Sequence, residues 1–205
     1  MAAAVNLSLG APTTLRKERD LRTETEDRSD LSWELLAVRC QLGEAAAFEE
    51  LVGKLHLRLW GYLIRLIGER GASEDVLQET WLRVLRDISR LREPARLVSW
   101  IFGIARHIAF DALRRRRVTV DLEEAEVLEL AAGADRASEA EERALLLAGE
   151  LLELPILERE VLTLFYLDEL SLRQVAEIAG VPEGTVKSRL FRARRLLHER
   201  LSSKG

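Results

Sequence analysis

Cysteine, proline and aromatic side chains are scarce in this 205-residue chain, and each scarcity removes a class of protein. The single cysteine, Cys40, cannot close an internal disulfide, so the sequence fits a reducing compartment better than an oxidising one. The three histidines, His56, His107 and His198, have no second His or Cys at ligand spacing, and neither a metal site nor a cofactor is expected. No run approaches the roughly 18 uninterrupted apolar residues that a membrane span requires. The opening MAAAVNLSLGAPTT has neither a basic leader nor a sustained apolar core, so it does not read as a secretory signal. These features predict a soluble, cytoplasmic protein without membrane insertion. There is no Gly-rich phosphate loop, nucleophile elbow or plausible catalytic triad, which argues against an enzyme.

Short alternating β-branched runs are missing as well, which excludes a sheet. What remains is long stretches of Leu, Ala, Glu and Arg interrupted by only 4 Pro and 12 Gly. The predicted fold class is all-α.

The net charge of -4 conceals a strong division along the chain. Residues 94–117 carry six basic side chains and one acidic, whereas residues 118–150 carry two basic and ten acidic. Residues 151–205 return to nine basic against eight acidic. Two basic stretches therefore flank an acidic connector, a pattern compatible with a polyanionic partner.

Residues 1–30 are polar and nearly free of large apolar side chains, and they read as a disordered tail rather than a docking segment. Ser32 is placed to cap a first helix carrying Trp33, Leu36 and Val38, which Gly43 stops. A second helix is expected from about Glu44 to Ile67, with Phe48, Leu51, Val52, Leu55, Leu59, Tyr62, Leu63 and Leu66 at helical spacing. Gly68 and Gly71 should end it. Ser73 is then a candidate cap for a third helix, with Glu74 and Asp75 in its first turn and Val76, Leu77, Leu82 and Val84 in the core. A fourth helix follows Pro94 and runs through WIFGIARHIAFDALRRRR, residues 100–117. Four helices with short connections make a bundle over residues 31–117. Residues 118–143 form an acidic linker, and a C-terminal domain occupies 144–205. Ser138, near the end of the linker, starts a helix reaching about Leu152, Pro155 opens another, and two more extend to about Leu201.

The most specific local signal is SLRQVAEIAGVPEGTVKSRLFRARRLL, residues 171–197. Ser171 and Gln174 form a capping box, and Ala176 allows two helices to cross closely. Gly180 reverses the chain in the left-handed conformation, while Val181 and Val186 supply shared core. A second helix then starts near Thr185 and exposes Lys187, Ser188, Arg189, Phe191, Arg192, Arg194 and Arg195. Arginine and lysine donate to guanine edges or phosphates, and an exposed phenylalanine can meet a thymine methyl. A solvated charged face would need only the basic residues. Their coincidence with the turn chemistry favours a DNA-binding helix-turn-helix.

The N-terminal half narrows the reading. ASEDVLQETWLRVL (72–85) resembles the core-binding segment of region 2 in bacterial RNA polymerase sigma factors, and RLVSWIFGIARHIAFDALRRRR (96–117) resembles the promoter-melting segment that follows it. Residues 154–197 look like sigma region 4. The connector of about twenty residues is too short for an additional helical domain. The resemblance is therefore to the two-domain, extracytoplasmic-function type. It implies partners: core RNA polymerase through its clamp helices and flap, promoter DNA, and an anti-sigma factor.

It also implies sites. Asp75, Gln78, Glu79 and Arg83 lie along one helical side, where the likeness places the clamp contact. Spacing alone is equally compatible with a solvated face. Arg96, Ser99, Trp100, Arg106, His107, Asp111, Arg114 and Arg115 fall in the -10-reading segment, and the loop Glu93–Ser99 corresponds to the family's base-capturing loop. Trp100 could stack on an unpaired base or on a protein neighbour, and Ile101, Ile104, Ile108 and Leu113 read as core. Thr185, Lys187, Ser188, Arg189, Phe191, Arg192 and Arg195 fall on the -35-reading helix. Two positions depart from the family pattern: Ala72 stands where Asp is frequent, and His107 where Asn is usual. The competing readings are a dimeric duplex-binding regulator, which leaves residues 72–117 unexplained, and an enzyme with an appended DNA-binding domain.

Overall fold

The computed structural model describes residues 32–119 and 147–202, with the side chains of 117–119 left out. The expected N-terminal tail, most of the acidic linker and the helix start at Ser138 lie outside the described residues. The described residues contain helices and turns and no strand.

Helix α1 spans 32–41, and the chain turns at Gly43, whose φ is 80°, as expected of that stop. Helix α2, Ala45–Ile67, buries Leu51, Leu55, Leu59, Tyr62, Leu63 and Leu66, one stripe at three- and four-residue intervals. It ends at Gly68, whose φ of 79° is the left-handed geometry glycine adopts without a Cβ penalty. Helix α3, Arg70–Asp87, starts earlier than the sequence suggested. Its N-cap is Glu69, whose carboxylate accepts from the Gly71 and Ala72 amides at 2.6 and 2.8 Å. Gly71 therefore lies inside the helix. Ser73 is fully buried and donates its hydroxyl to the Glu69 carbonyl at 2.6 Å. A carboxylate one turn earlier outcompetes the serine because a charged acceptor makes the stronger cap.

Leu82 is a second correction. It is 63% exposed, not core, whereas Val76, Leu77 and Val84 are buried as expected. Two 3₁₀ turns, Ile88–Arg90 and Pro94–Arg96, carry the chain to helix α4, Leu97–Thr119. Gln41 ties α1 to the first turn, donating to the Leu91 carbonyl at 2.6 Å. Helix α4 buries Leu97, Val98, Ile101, Phe102, Ala105, Ile108 and Ala109 against α2 and α3. Each fully buried Leu, Ile or Phe of this kind contributes roughly 1.5–3 kcal/mol.

In the C-terminal half, α5 is described over 147–152, and α6 spans Ile156–Leu162 behind Pro155. A π turn, Thr163–Leu167, follows α6 and was not legible in the sequence. Helix α7, Leu172–Ala179, opens on the predicted Ser171–Gln174 capping box. Gly180 reverses the chain at φ 66°, and α8 runs from Glu183 to Ser202. Val175, Ile178, Val186 and Leu190 form the helix-turn-helix core.

The two halves share one apolar core. Val161, Leu164, Leu170 and Val175 are continuous with the α2–α4 core, and α7 packs along α4. Arg159 of α6 spans the junction, donating to the carbonyls of Leu152 at 2.6 Å and Leu66 at 2.9 Å. Arg58 donates to the Asp168 carbonyl at 2.5 Å. No described helix is long and apolar enough to cross a membrane.

Candidate nucleic-acid and polymerase interfaces

The expected sites fall on three separate faces. On α3, Asp75, Gln78 and Glu79 are exposed, and Arg83 lies 3.8 Å from Glu79. Their stripe continues through Leu82 and Leu85, which are 63% and 57% exposed. Positions 75, 78, 82 and 85 follow the helical repeat, so polar and apolar groups share one accessible side. Scattered surface leucines are ordinary; these two stand at helical spacing beside a patterned polar row.

On α4 and the turn before it, Arg96, Ser99, Trp100 and His107 border a cleft of about 490 Å³, together with Arg83 of α3 and Glu177 of α7. Trp100 is half-buried. His107 is exposed, with Nε2 at 3.3 Å from Asp111. Asp111 also accepts from Arg114, and that guanidinium pulls its carboxyl below the ordinary range. Arg114 and Arg115 are exposed near the end of α4. The remaining two groups are engaged. Ser99 is 6% exposed and donates to Glu177 Oε2 at 3.0 Å. Arg106 stacks on Phe110, 4.5 Å from the ring centre, and donates to Glu160 Oε1 at 2.6 Å.

On α8, Lys187, Ser188, Phe191, Arg192 and Arg195 face solvent, and Phe191 is 66% exposed. Thr185 is half-buried and accepts from the Ser188 hydroxyl at 2.9 Å. Arg189 differs from its neighbours. It is half-buried, and its Nη1 has no hydrogen-bond partner among the described residues. Arg192 Nε lies 3.1 Å from the carboxylate of Glu158, a buried residue of α6. Three acidic residues at these sites, Glu158, Glu160 and Glu177, gave no signal in the sequence, because acidic residues on amphipathic helices ordinarily face water.

Two buried carboxyls are displaced in pKa. Burial pushes Glu160 upward, against the opposing pull of Arg106 and of the Arg106 and Tyr62 hydrogen bonds. Burial likewise pushes Asp168 from 3.8 to about 7, with Arg58 and Arg65 opposing. Because its folded-state pKa is the higher one, folding retains the Asp168 proton, and stability falls as pH rises from about 4 through 7. Asp168→Asn should therefore raise the melting temperature at pH 8 and flatten that decline. A variant melting no higher than the parent at pH 8 would show that the buried charge is compensated.

A helical bundle joined to a helix-turn-helix with a basic outer face is an arrangement suited to binding DNA. Comparison with known proteins fixes the family. Residues 51–119 match Sigma-70 region 2, and residues 144–197 match Sigma-70 region 4. The ECF RNA polymerase sigma factor SigL of Mycobacterium tuberculosis is 36% identical over 79% of this chain and 93% of its own length. The structure of CnrH in complex with the cytosolic domain of CnrY superposes with a TM-score of 0.65 at 23% identity, covering 84% of this chain and 99% of that one. Sigma factor RpoE from Bartonella quintana, in complex with the anti-sigma factor NepR, gives 0.63 at 24% identity, over 75% and 98%. The chain belongs to the extracytoplasmic-function sigma factors of bacterial RNA polymerase. It is accordingly a transcription initiation factor that directs polymerase to promoters, and not an enzyme.

Proposed function

We propose that residues 31–117 act as the polymerase-binding and -10-opening unit, that 118–143 tether it, and that 144–205 read the -35 element. The observation that carries this is the separation of three chemically distinct faces on one small chain. The α3 face, Asp75, Gln78, Glu79, Arg83 and Leu82, meets the polymerase clamp helices, while the C-terminal unit meets the flap. The α4 face holds the separated strand: Arg106, Arg114 and Arg115 on phosphates, and Arg96, Ser99, Trp100, His107 and Asp111 around an unstacked base. The α8 face enters the major groove with Lys187, Ser188, Phe191, Arg192 and Arg195, while Thr185 and Arg189 lie closer to the protein. An anti-sigma factor restrains the protein, as NepR is bound to the Bartonella relative. The site of action is the cytoplasm, where its polymerase works.

Glu158 has a defined part in this reading. Its buried carboxylate lies 3.1 Å from Nε, and an acceptor held there favours an orientation of Arg192 that spares the terminal nitrogens for a base edge. Arg192→Ala should cost about 1–3 kcal/mol at one -35 base pair while leaving polymerase affinity unchanged. Holoenzyme binding to a set of single-base -35 variants measures this. A uniform loss over all sequences would make Arg192 a phosphate contact.

A further inference from the structure

A hydrogen bond between α8 and the π turn joins two exposed groups that the -35 reading leaves unused. Arg194 Nη1 donates to the Tyr166 hydroxyl at 3.2 Å. Tyr166 is 46% exposed, and its ring stands edge-on to Phe165 with centres 5.0 Å apart. Arg194 is exposed as well. Nearby arginines of α8 face carboxylates: Arg192 lies 3.1 Å from Glu158, and Arg195 lies 3.5 Å from Glu199. The partner of Arg194 is instead a hydroxyl, an acceptor that orients the guanidinium without cancelling its charge.

Position and chemistry point to the same ligand. Residues near the N-terminal end of a recognition helix meet base edges in the major groove. Arg194 stands two turns beyond Lys187, about 10 Å further along the axis of α8. It continues the row of Lys187 and Phe191, one side of an exposed face whose other side is Ser188, Arg192 and Arg195. A helix nearly fills the width of the groove, so its side rows meet the sugar-phosphate walls. A tyrosine hydroxyl that accepts from arginine still has its own proton to donate, and the guanidinium keeps further N–H groups. The pair therefore offers adjacent donors and one positive charge, which match the oxygens of a phosphate.

We infer that Tyr166 and Arg194 form a composite clamp for a single backbone phosphate beside the -35 element, with Tyr166 also positioning the arginine. The inference rests on the assignment of α8 to the -35 major groove. It adds a contact from outside the helix-turn-helix, carried by the π turn. Such a contact sets the register of α8 on the duplex and carries no sequence information of its own.

The test uses holoenzyme and a promoter that it transcribes, prepared with a single uncharged methylphosphonate linkage at each backbone position bordering the -35 element in turn. Arg194→Ala should weaken binding of the unmodified promoter about tenfold, and equally on every single-base -35 variant. The slope of log affinity against log salt should fall by about one. Tyr166→Phe, which keeps the ring and removes the hydroxyl, should cost about threefold. One methylphosphonate position should weaken the parent about tenfold yet change Arg194→Ala by less than about twofold, with Tyr166→Phe between them. Melting temperatures should stay parental, because both side chains are exposed.

Parental affinity of Arg194→Ala would overturn the clamp. A loss confined to particular base pairs would overturn it too, by making Arg194 a base reader. So would methylphosphonate effects of equal size in the parent and Arg194→Ala at every position. A Tyr166→Phe holoenzyme that binds like the parent would remove the tyrosine and with it the composite site. Arg192→Ala separates the clamp from the reading beneath it: a base-specific loss there beside a silent Arg194→Ala faults the clamp, whereas two silent variants fault the placement of α8.

Discussion

Phe102→Ala should lower the unfolding free energy by about 3–5 kcal/mol, the range for a buried aromatic truncated in a close-packed core. Phe102 is fully buried on α4, and its ring centre lies 5.5 Å from that of Tyr62. The Arg58 guanidinium sits 5.8 Å from the same ring and donates to the Asp168 carbonyl in the other half of the molecule. Removing the ring opens a cavity at the centre of the α2–α4 packing and takes away the platform under Arg58. Both halves should therefore loosen together. Urea denaturation followed by circular dichroism reads the loss, and Leu85→Ala, at an exposed position, should stay within about 0.5 kcal/mol of the parent. A loss below about 1 kcal/mol for Phe102→Ala would mean that the site collapses without cost and that the packing described for it is not the stabilising element.

Leu82→Asp should weaken core polymerase binding by about 30-fold or more, equivalent to about 2 kcal/mol, with little change in melting temperature. The leucine projects from α3 into solvent between Glu79 and Arg86, so the monomer gains little from it. An apolar side chain surrounded by polar neighbours is the arrangement that excludes water at the centre of a protein interface. Aspartate there would carry a charge into a dehydrated contact without a partner. Titration of labelled core polymerase with the variant measures the effect. Unchanged affinity would move the contact away from this face of α3.

The local structure proved far more legible in the sequence than the way its parts meet. The Ser171–Gln174 capping box, the Gly180 reversal and the α2 stripe are governed by neighbours within a turn or two, and residue type alone indicates them. The start of α3 lies one turn before Ser73 because the Glu69 carboxylate reaches the free amides of Gly71 and Ala72, a capping role that glutamate seldom takes. Leu82 reads as core because a leucine flanked by core positions looks apolar-facing until the helix phase is fixed. The π turn Thr163–Leu167 follows α6 directly, without a glycine or proline to announce it. Glu158, Glu160 and Glu177 were invisible for a different reason. Their partners, Arg192, Arg106 and Ser99, are between 34 and 78 residues away, and only the tertiary fold brings them together. Arg189 illustrates the same limit from the other side, as a basic residue on a basic helix that turns inward toward a buried acid.

Run-off transcription with purified core polymerase tests the central assignment most directly. Core enzyme alone should give no discrete product from a library of the host's promoter fragments. Adding this protein should yield defined transcripts from a subset sharing one -35 and one -10 sequence. Arg192→Ala should reduce transcription from that subset, and Arg106→Ala should impair its opening. Specific binding to duplex DNA by the protein alone, with no stimulation of core polymerase on any fragment, would contradict the account.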